Sequence, residues 1–406
     1  MRIWINNPFD NVPGEGGRPH RYTFLAQALS DAGHEVVLWS SDFSHPLKRK
    51  RVLNLAETKY RVILLPTRPY ADNVCLNRAL SHYEYARSWR QTALAAVNSR
   101  DMKAPHIILT SMPPLEIGLA AQTLQRVFAC KLVVDIQDAW PETFYRLLPL
   151  PAWMRPFFGK VIFALYHHRA KKIYTKADRV TAVAESYLEL ARSYGACNVA
   201  REPFYLGTNV AVDSASRHVA PRKVGSVLNM IYVGIMGRMH DLATVIACVG
   251  RDSRVYFHLA GAGPDEKRLK RLAAGRPNII FHGYLADTQL HGLLNEMDVG
   301  VLPMKRESYV AVPNKLIDYA AHGLPILSSL GGESAALLKR YQAGITYIPG
   351  KNESLQHGVD LLREDREQRV RLGQGAFRLA CEQFDARKIY AAFVKELEEI
   401  GYGMAE

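Results

Sequence analysis

The sequence predicts an α/β fold of two doubly wound domains, each a parallel sheet with helices on both faces. Candidate strands and helices alternate along both halves of the chain. Several strands are unbroken apolar runs, such as residues 61–65 and 106–109, which is typical of parallel strands buried on both faces. Residues 201–226 interrupt the alternation with prolines and glycines, which indicates a linker between the domains.

The elements of the predicted first domain, residues 1–200, have a regular order. We expect strands near 1–6, 35–41, 60–66, 106–111, 131–136 and 179–184. Helical patterns lie near 18–33, 77–99, 114–128, 153–176 and 185–195. This order predicts a Rossmann-like domain.

The second predicted domain, residues 227–384, repeats the pattern. Its strands lie near 229–235, 255–261, 278–283, 298–303, 325–329 and 345–348. Its helices lie near 241–249, 264–274, 287–296, 315–322 and 333–341. One or two amphipathic helices follow between 367 and 400, and residues 385–406 are expected to pack back on the first domain. Two facing domains of this kind would place a ligand cleft between them, at the carboxyl ends of both sets of strands.

Composition favours a soluble globular protein. Of the 406 residues, 48% are hydrophobic and 22% are charged, and no apolar run approaches the length of a membrane span. We therefore expect a cytoplasmic protein whose five separated cysteines are reduced. The net charge is +13, and residues 1–200 hold 26 basic and 16 acidic residues, which is +10 of that total. A basic half could meet nucleic acid, an anionic membrane or a polyanionic substrate.

Residues 303–329 carry the strongest functional signal. Asn314 and Lys315 open a short predicted helix, and Asp318 follows one turn later. A helix N-terminus with a lysine suits a diphosphate, and a carboxylate one turn further in suits the hydroxyls of a ribose. The same residues also fit an ordinary βα unit with a solvated lysine and aspartate, so both interpretations stay open.

Glycine-containing turns follow several strands. Gly16 and Gly17 precede the first helix, where backbone N–H groups could approach a phosphate, although a plain turn fits as well. Gly261 and Gly263 form a small-residue turn that could admit a nucleotide or simply be tight. Arg238 follows another strand and could bind a diphosphate with its planar fork of donors, or lie free on the surface.

Two further strand ends carry candidate side chains. Tyr284 and Leu285 follow a strand at a level where backbone amides could contact a base, although a glycine-capped strand end fits better on these residues alone. Asp138 follows an apolar strand and could position an acceptor hydroxyl or accept its proton. The nearby Trp140 is expected to fill the core rather than to stack on a sugar.

Residues 153–176 combine aromatic and basic side chains in the pattern of a membrane-surface helix. The candidate membrane contacts are Trp153, Phe157, Phe158, Lys160, Lys171 and Lys172. The basic run 48–51 could extend the same charged face, although a solvated loop is the simpler interpretation. A domain helix with a buried apolar face is the alternative for 153–176. His167 and His168 have no partner at metal-ligand spacing, so we predict no metal site.

The ordered combination of these segments resembles the retaining glycosyltransferases of family 4, which have the GT-B fold. The stretch from His258 to Ser329 is similar to the donor domain of that family in unbroken order. The segments that resemble its acceptor domain are EGGRPHRYTFLAQALSDAGHEVVLWSS, TSMPPLEIGLAA, DIQDAWPE and VTAVAESYLELARSYG. The similarity is greatest to the subgroup that builds bacterial surface polysaccharides.

The resemblance implies a role for individual residues. Asp318 matches the second acidic residue of the family's E-x7-E motif, which binds the ribose, whereas its first glutamate falls on Val310. Glu307 and Asn314 are nearby polar substitutes. Arg238 matches the arginine that binds the donor phosphates. The lysine that usually follows it is missing, and we expect Lys315 to replace it.

Two positions in the first domain match the family as well. Gly16 and Gly17 match its glycine loop near the diphosphate. Asp138 occupies a cleft position that is often histidine.

The resemblance also implies the activity and the partners. It implies a metal-independent, retaining hexosyltransferase (EC 2.4) that moves a sugar from a UDP- or GDP-sugar to a lipid-linked saccharide in O-antigen, capsule or exopolysaccharide synthesis. Such an enzyme works at the inner membrane surface, without nucleic acid and without a cofactor. Two alternatives remain open: a nucleotide-sugar epimerase of the same fold, and a non-catalytic protein that binds nucleotide-sugars.

Overall fold

The chain forms two compact units. The computed structural model describes residues 1–15, 21–51, 58–210, 227–250, 252–306, 308 and 310–403. The first unit combines residues 1–205 with 388–406, and the second is residues 206–387. Most of the predicted linker, 211–226, lies outside the described residues.

The first unit is built on a parallel sheet in the order β5-β2-β1-β6-β7-β8. Its strands are β1 (Arg2–Asn6), β2 (Glu35–Ser41), β5 (Arg61–Leu65), β6 (Ile107–Met112), β7 (Lys131–Ile136) and β8 (Arg179–Ala182). Its helices are α1 (Arg21–Asp31), α2 (Leu76–Asn98), α3 (Leu115–Phe128), α4 (Arg155–Ile162), α5 (Ala164–Lys176) and α6 (Glu185–Ser193), with a 3-10 turn at Glu142–Leu147. Apart from a small hairpin of β3 (Phe43–Ser44) and β4 (Arg49–Lys50), this is the strand order of a Rossmann domain.

A buried ion pair fixes α1 against the sheet. The Arg21 guanidinium donates to both carboxylate oxygens of Asp135 at 2.7 and 2.9 Å, and it also donates to the carbonyl of Phe204. The same carboxylate accepts from the hydroxyls of Tyr22 and Thr181 at 2.6 and 2.7 Å. Because each buried charge has its hydrogen-bonding partners, the pair satisfies the condition under which a buried ion pair is tolerated.

The C-terminal helix Ala386–Tyr402 completes the first unit. The Phe393 ring is fully buried and stacks on Phe204 with 4.3 Å between centroids. Glu396 pairs with Arg179 of β8 at 2.9 Å. We predicted that residues 385–406 pack back on the first domain. The described residues from 388 to 403 belong to the first unit, and Phe393 lies in its core.

The second unit contains a second parallel sheet, in the order β11-β10-β9-β12-β13-β14. Its strands are β9 (Leu228–Val233), β10 (Val255–Ala260), β11 (Ile279–Gly283), β12 (Val299–Leu302), β13 (Ile326–Ser328) and β14 (Gly344–Thr346). Its described helices are Leu242–Val249, Glu266–Leu272, Asp287–Glu296, Asn314–Ala321, Gly332–Tyr341, Asn352–Glu364 and Arg366–Leu379, with a π turn at Ala380–Phe384. The strand order repeats that of the first unit: successive strands are added on one side of β9 up to β11, and the order reverses at β12, which lies parallel to β9 on its other side. Such a reversal is where open α/β sheets bind their ligands.

The two ends of the second unit run side by side. Thr208 N–H donates to the carbonyl of Phe384 at 2.9 Å, and Ala386 N–H donates to the carbonyl of Thr208 at 3.0 Å. The segment that enters this unit therefore pairs with the segment that leaves it, beside Asp385.

Three sequence expectations differ from the structure. The predicted single helix at 153–176 is two helices, α4 and α5, separated at Phe163. In the basic run 48–51, predicted as a loop, Arg49 and Lys50 form the exposed strand β4, and the buried Arg51 side chain lies 3.2 Å from the Glu15 carboxylate. Helix Asn352–Glu364 was not predicted.

Candidate functional site

Three loops meet at the carboxyl edge of the second sheet. The loop after β9 contacts the loop after β10, because Met236 N–H donates to Ala262 O at 2.9 Å. It also contacts the loop after β12, because Lys305 N–H donates to Met239 O at 3.0 Å. Helix Asn314–Ala321 begins beside them. The loops flanking the reversal between β9 and β12 thus form one structured edge.

Lys315 lies on the first turn of this helix and extends across the loop after β9. Its Nζ is 3.2 Å from His240 Nε2 and 5.2 Å from the centre of the Tyr232 ring. A Cβ on Gly234 would stand 2.8 Å from the Lys315 Cε atom. The glycine, at φ +124°, therefore leaves the space through which the lysine reaches the strand ends.

The surroundings of Lys315 lower its affinity for a proton. Burial lowers the pKa of Lys315 from 10.5 to about 8, and the nearby Asp318 carboxylate opposes that shift. Burial and the Lys315 charge also lower the pKa of His240 to about 4, so this imidazole is neutral at pH 7. At that pH the site contains a cation that would gain from an anionic ligand.

Arg238 is exposed and lies on the same loop. His240, two residues further on, contacts Lys315, so the loop that carries Arg238 packs against the loop-helix junction that carries the lysine. The two basic residues that we predicted to bind the donor phosphates, Arg238 and Lys315, therefore lie at the same edge of the second sheet. His240 itself was missed, because nothing in the sequence signals a contact across 75 positions.

Gly261 and Gly263 have a structural reason that the sequence did not reveal. A Cβ on Gly261 would stand 2.1 Å from the carbonyl oxygen of Gly234, and one on Gly263 would stand 2.5 Å from that of Met236. Both glycines therefore allow two backbone loops to touch. Their predicted contact with the donor stays a prediction.

Tyr319 fixes the helix at the reversal point and was also missed. Its hydroxyl accepts from Val233 N–H at 2.9 Å and lies 3.4 Å from Val301 O, so it bridges β9 and β12. A Cβ on Gly300 would meet the Tyr319 ring at 2.4 Å. The glycine in β12 therefore makes room for the ring, and the ring sets the position of Lys315 four residues earlier.

The other donor candidates differ in exposure. Tyr284 is 84% exposed just beyond β11, with Leu285 half-buried beside it. Asn314 is exposed at the helix start, and Asp318 is half-buried one turn later. Val310, at the position of the family's first glutamate, is 39% exposed and offers no polar group. Gly16, Gly17 and Glu307 lie outside the described residues.

In the first unit, Asp138 lies just beyond β7 and is held by three donors. Its carboxylate accepts from Ala139 N–H at 2.9 Å, the Thr143 hydroxyl at 3.0 Å and the Trp140 indole at 3.2 Å. Burial raises the pKa of Asp138, and these hydrogen bonds limit the rise. Trp140 is buried, as the sequence predicted.

Helix α4 and the residues next to it carry exposed apolar side chains, which together form the α4 surface. Trp153 and Phe157 are 81% and 70% exposed, and Leu165 at the start of α5 is 60% exposed. Val161 and Ile162 are also exposed, whereas Gly159 packs against the Tyr145 ring. The alternative of a buried apolar face is therefore wrong for α4. The other predicted membrane contacts, Phe158, Lys160, Lys171 and Lys172, are exposed as well.

No helix in the described part of the chain has the length and apolar character needed to cross a bilayer. Across the same residues, no cluster of three or more His, Cys, Asp or Glu side chains has the arrangement of a metal site.

Comparisons with known proteins agree with this architecture. Sucrose-phosphate synthase of Thermosynechococcus elongatus is 16% identical, with a TM-score of 0.73, and the alignment covers 98% of this chain and 99% of that one. HepE of Anabaena, solved with UDP, is 13% identical with a TM-score of 0.69, covering 98% of this chain and 100% of that one.

A third structure is that of WaaG, a glycosyltransferase involved in lipopolysaccharide biosynthesis. It is 11% identical with a TM-score of 0.62, covering 97% of this chain and 98% of that one. None of the curated proteins compared with the chain matches it.

One family model matches part of the second unit. Residues 228–365 match the model described as Glycosyl transferases group 1. The matched segment contains Arg238, His240, Lys315 and Asp318. The prediction of an α/β fold with two Rossmann-like domains is confirmed: the chain has the GT-B fold, and its second unit carries a glycosyl transferases group 1 domain.

Proposed function

We propose that this protein is a retaining glycosyltransferase that transfers a sugar from a nucleoside diphosphate-sugar to a lipid-linked saccharide. The observation that carries the proposal is the half-buried Lys315 side chain, which lies at a helix N-terminus beside the point where the strand order of the second sheet reverses. UDP or UDP-glucose is bound in solved structures of the similar HepE, which supports UDP as the nucleotide.

The second unit would supply the electrostatic part of the reaction. When the bond between the sugar carbon and the diphosphate oxygen breaks, its electron pair leaves with the diphosphate. Lys315, Arg238 and the N-terminus of helix Asn314–Ala321 would stabilise that charge in place of a metal ion. Asp318 would accept hydrogen bonds from the ribose.

The acceptor hydroxyl would form the new glycosidic bond on the face from which the diphosphate departs. Its proton would pass to a phosphate oxygen or to the Asp138 carboxylate. The raised pKa of Asp138 is in the right direction for proton acceptance. The hydrogen bonds from Thr143 and Trp140 hold the carboxylate in one orientation.

The exposed surface of α4 supports a membrane-bound acceptor. Soluble proteins rarely expose large apolar patches that have no partner. Trp153, Phe157 and Val161 are exposed together here. Lys160 lies within this surface, and Lys171 and Lys172 follow on α5. We propose that this face contacts the cytoplasmic side of a bacterial inner membrane during surface polysaccharide synthesis, such as that of O-antigen, capsule or exopolysaccharide.

The proposal is tested by a thermal-shift screen of UDP, GDP and their sugars, followed by product analysis with lipid-linked saccharides. A ligand that binds only the folded protein raises its melting temperature. We expect a UDP-sugar to do so, and both Arg238→Ala and Lys315→Ala to lower turnover by about 100-fold or more, as for lost donors to a developing charge.

Near-parental turnover in both variants would refute the mechanism. Conversion of the nucleotide-sugar without acceptor would instead indicate an epimerase. Nucleotide binding without turnover on any acceptor would indicate a non-catalytic binding protein.

A further inference from the structure

A cluster of aromatic rings surrounds an arginine at the carboxyl edge of the first sheet. Arg78, on the first turn of α2, has its guanidinium carbon 5.8 Å from the centre of the Phe9 ring. It is 6.0 Å from the ring centres of Tyr70 and Trp140. These rings follow β1, β5 and β7, so the cluster lies on the sheet edge that also holds Asp138.

The cluster contains two cations, and the carboxylates that act on them, Asp72 on Lys48 and Asp138 on Arg78, do not form ion pairs with them. Lys48 Nζ lies 4.7 Å above the Tyr70 ring and donates to Asn73 Oδ1 at 2.7 Å. Within the described ranges, neither Lys48 nor Arg78 forms an ion pair. Burial lowers the pKa of both, so the protein holds these charges at a cost.

Polar atoms inside the cluster lack partners. His82 is only 6% exposed, and its Nε2 has no hydrogen-bonding partner among the described residues. The Arg78 Nε is buried and also lacks one there. The His82 ring lies between Phe9 and Trp140, with centroids 5.5 and 6.0 Å away. Burial lowers the pKa of His82 to about 3, so it is a neutral group that can donate or accept.

Arg21 in the same unit shows what a structural arginine looks like here. Its guanidinium donates to both oxygens of Asp135 and to a backbone carbonyl, which satisfies the charge inside the fold. Arg78 donates to the backbone carbonyl of Asn73 and hydrogen-bonds the Tyr70 side chain, but among the described residues no carboxylate lies within ion-pair distance of its guanidinium. A half-buried guanidinium without an ion pair can accept a partner of opposite charge from outside the fold.

We infer that Arg78 and Lys48 bind an anionic group, a phosphate or a carboxylate, carried by the acceptor. The planar guanidinium matches either oxyanion with two parallel hydrogen bonds. The inference rests on the proposed transferase function, for which it names the acceptor class.

The surroundings favour a lipid-linked phosphate as the source of the anion. Leu47, Val74 and Leu76 are exposed beside the two cations, at 45%, 68% and 74%. In addition, the Trp140 ring contacts Phe144 at 4.5 Å, and Phe144 reaches Phe163 between α4 and α5 at 5.7 Å. The apolar rim and the aromatic path connect the cationic cluster to the α4 surface. An acidic sugar is the other source.

The test measures binding to the full-length protein saturated with UDP, so that the donor site is filled. Calorimetry compares farnesyl diphosphate with farnesol and glucuronate with glucose. We expect the anionic member of at least one pair to bind more tightly than the neutral member. Arg78→Gln should weaken that binding at least about tenfold, because it removes charge-assisted hydrogen bonds. Arg90→Gln on the exposed face of α2 is the matched control and should change nothing.

Lys48→Gln is the second variant, because Lys48 lies at the rim, where its hydrogen bond to Asn73 is exposed. It should weaken the same anionic probe. If only farnesyl diphosphate binds more tightly than its neutral counterpart, the anion is a lipid phosphate. If only glucuronate does, the anion is an acidic sugar. Equal binding within both pairs, or unchanged affinity in both variants, would overturn the inference. Failure of UDP itself to bind would count against the transferase proposal and not against the anion site.

Discussion

Lys315 shows how a single residue can trade stability for binding. An unfolded chain holds this proton up to pH 10.5, whereas the folded protein releases it near pH 8. Between these values the unfolded state binds more protons, so the folded state gains stability as the pH rises through that range. Below pH 8 the buried ammonium costs stability, and an anionic ligand would offset that cost.

This charge predicts a pH dependence of donor binding. UDP affinity should fall as the pH rises through about 8, because Lys315 then loses the charge that attracts the diphosphate. In Lys315→Met, which keeps the length of the side chain, UDP should bind roughly tenfold more weakly at pH 7 and lose this dependence. Calorimetry between pH 6.5 and 9.5 measures both effects.

Lys339→Met is the control for this measurement. Lys339 is an exposed lysine on helix Gly332–Tyr341 of the same unit. Its loss should leave the pH profile of UDP binding unchanged. A Lys315→Met profile that still falls through pH 8 would assign the titration to another group.

The separate helices α4 and α5 show what sequence periodicity misses. Residues 160–170, on both sides of the break at Phe163, contain neither glycine nor proline, so the sequence does not mark the break itself. The Tyr145 ring lies where a side chain at position 159 would be, which brings α4 close to the 3-10 turn. The parallel strands agree with their predicted bounds to within one or two residues, because continuous apolar runs mark them in the sequence.

The residues of the candidate site also differ in whether a local sequence signal predicts them. Lys315, Arg238 and Asp318 stand beside glycines and strand ends, which are local signals. His240, Tyr319 and Arg78 gain their significance from segments distant in the chain, and a sequence does not report which loops touch. The aromatic and basic composition of residues 153–176 is evident from the sequence, whereas the exposure of the apolar side chains of α4 is seen only in the structure.

The α4 surface predicts charge-assisted binding to lipid vesicles. Phe157→Asp should reduce co-sedimentation with anionic vesicles, because it places a negative charge in an apolar surface and removes an aromatic anchor. Binding should also weaken with added salt, as lysines on this face lose their attraction to the lipid.

Ile348→Asp provides the comparison, since Ile348 is 51% exposed in the second unit. It should sediment with vesicles as the parent does. Equal binding to anionic and neutral vesicles would argue against a contact driven by charge.

The described residues form two six-stranded sheets with one strand order, besides the β3–β4 hairpin, and the two units differ in how their chain is assembled. The second is continuous, whereas the first needs the last helix of the chain. All five tryptophans, Trp4, Trp39, Trp89, Trp140 and Trp153, lie in the first unit. Tryptophan fluorescence therefore follows the unfolding of that unit alone.

The C-terminal helix predicts a stability effect confined to one unit. Phe393→Ala should lower the free energy of unfolding of the first unit by about 3–5 kcal/mol, because it empties a fully buried ring position against Phe204. Urea unfolding followed by tryptophan fluorescence measures this loss. UDP binding at the second unit should remain.

Lys395→Ala is the matched substitution on the exposed face of the same helix and should leave the unfolding midpoint close to that of the parent. A midpoint for Phe393→Ala that equals the Lys395→Ala midpoint would mean that the helix contributes little to the first unit.

The pairing of Thr208 with the segment around Asp385 has a consequence for biosynthesis. A ribosome completes residues 206–387 before it makes the helix that the first unit requires. The second unit can therefore fold during translation, whereas the first unit is complete only after the helix Ala386–Tyr402 has been made. Nascent chains arrested shortly after residue 387 has left the exit tunnel should already bind UDP, although their first half still lacks its last helix.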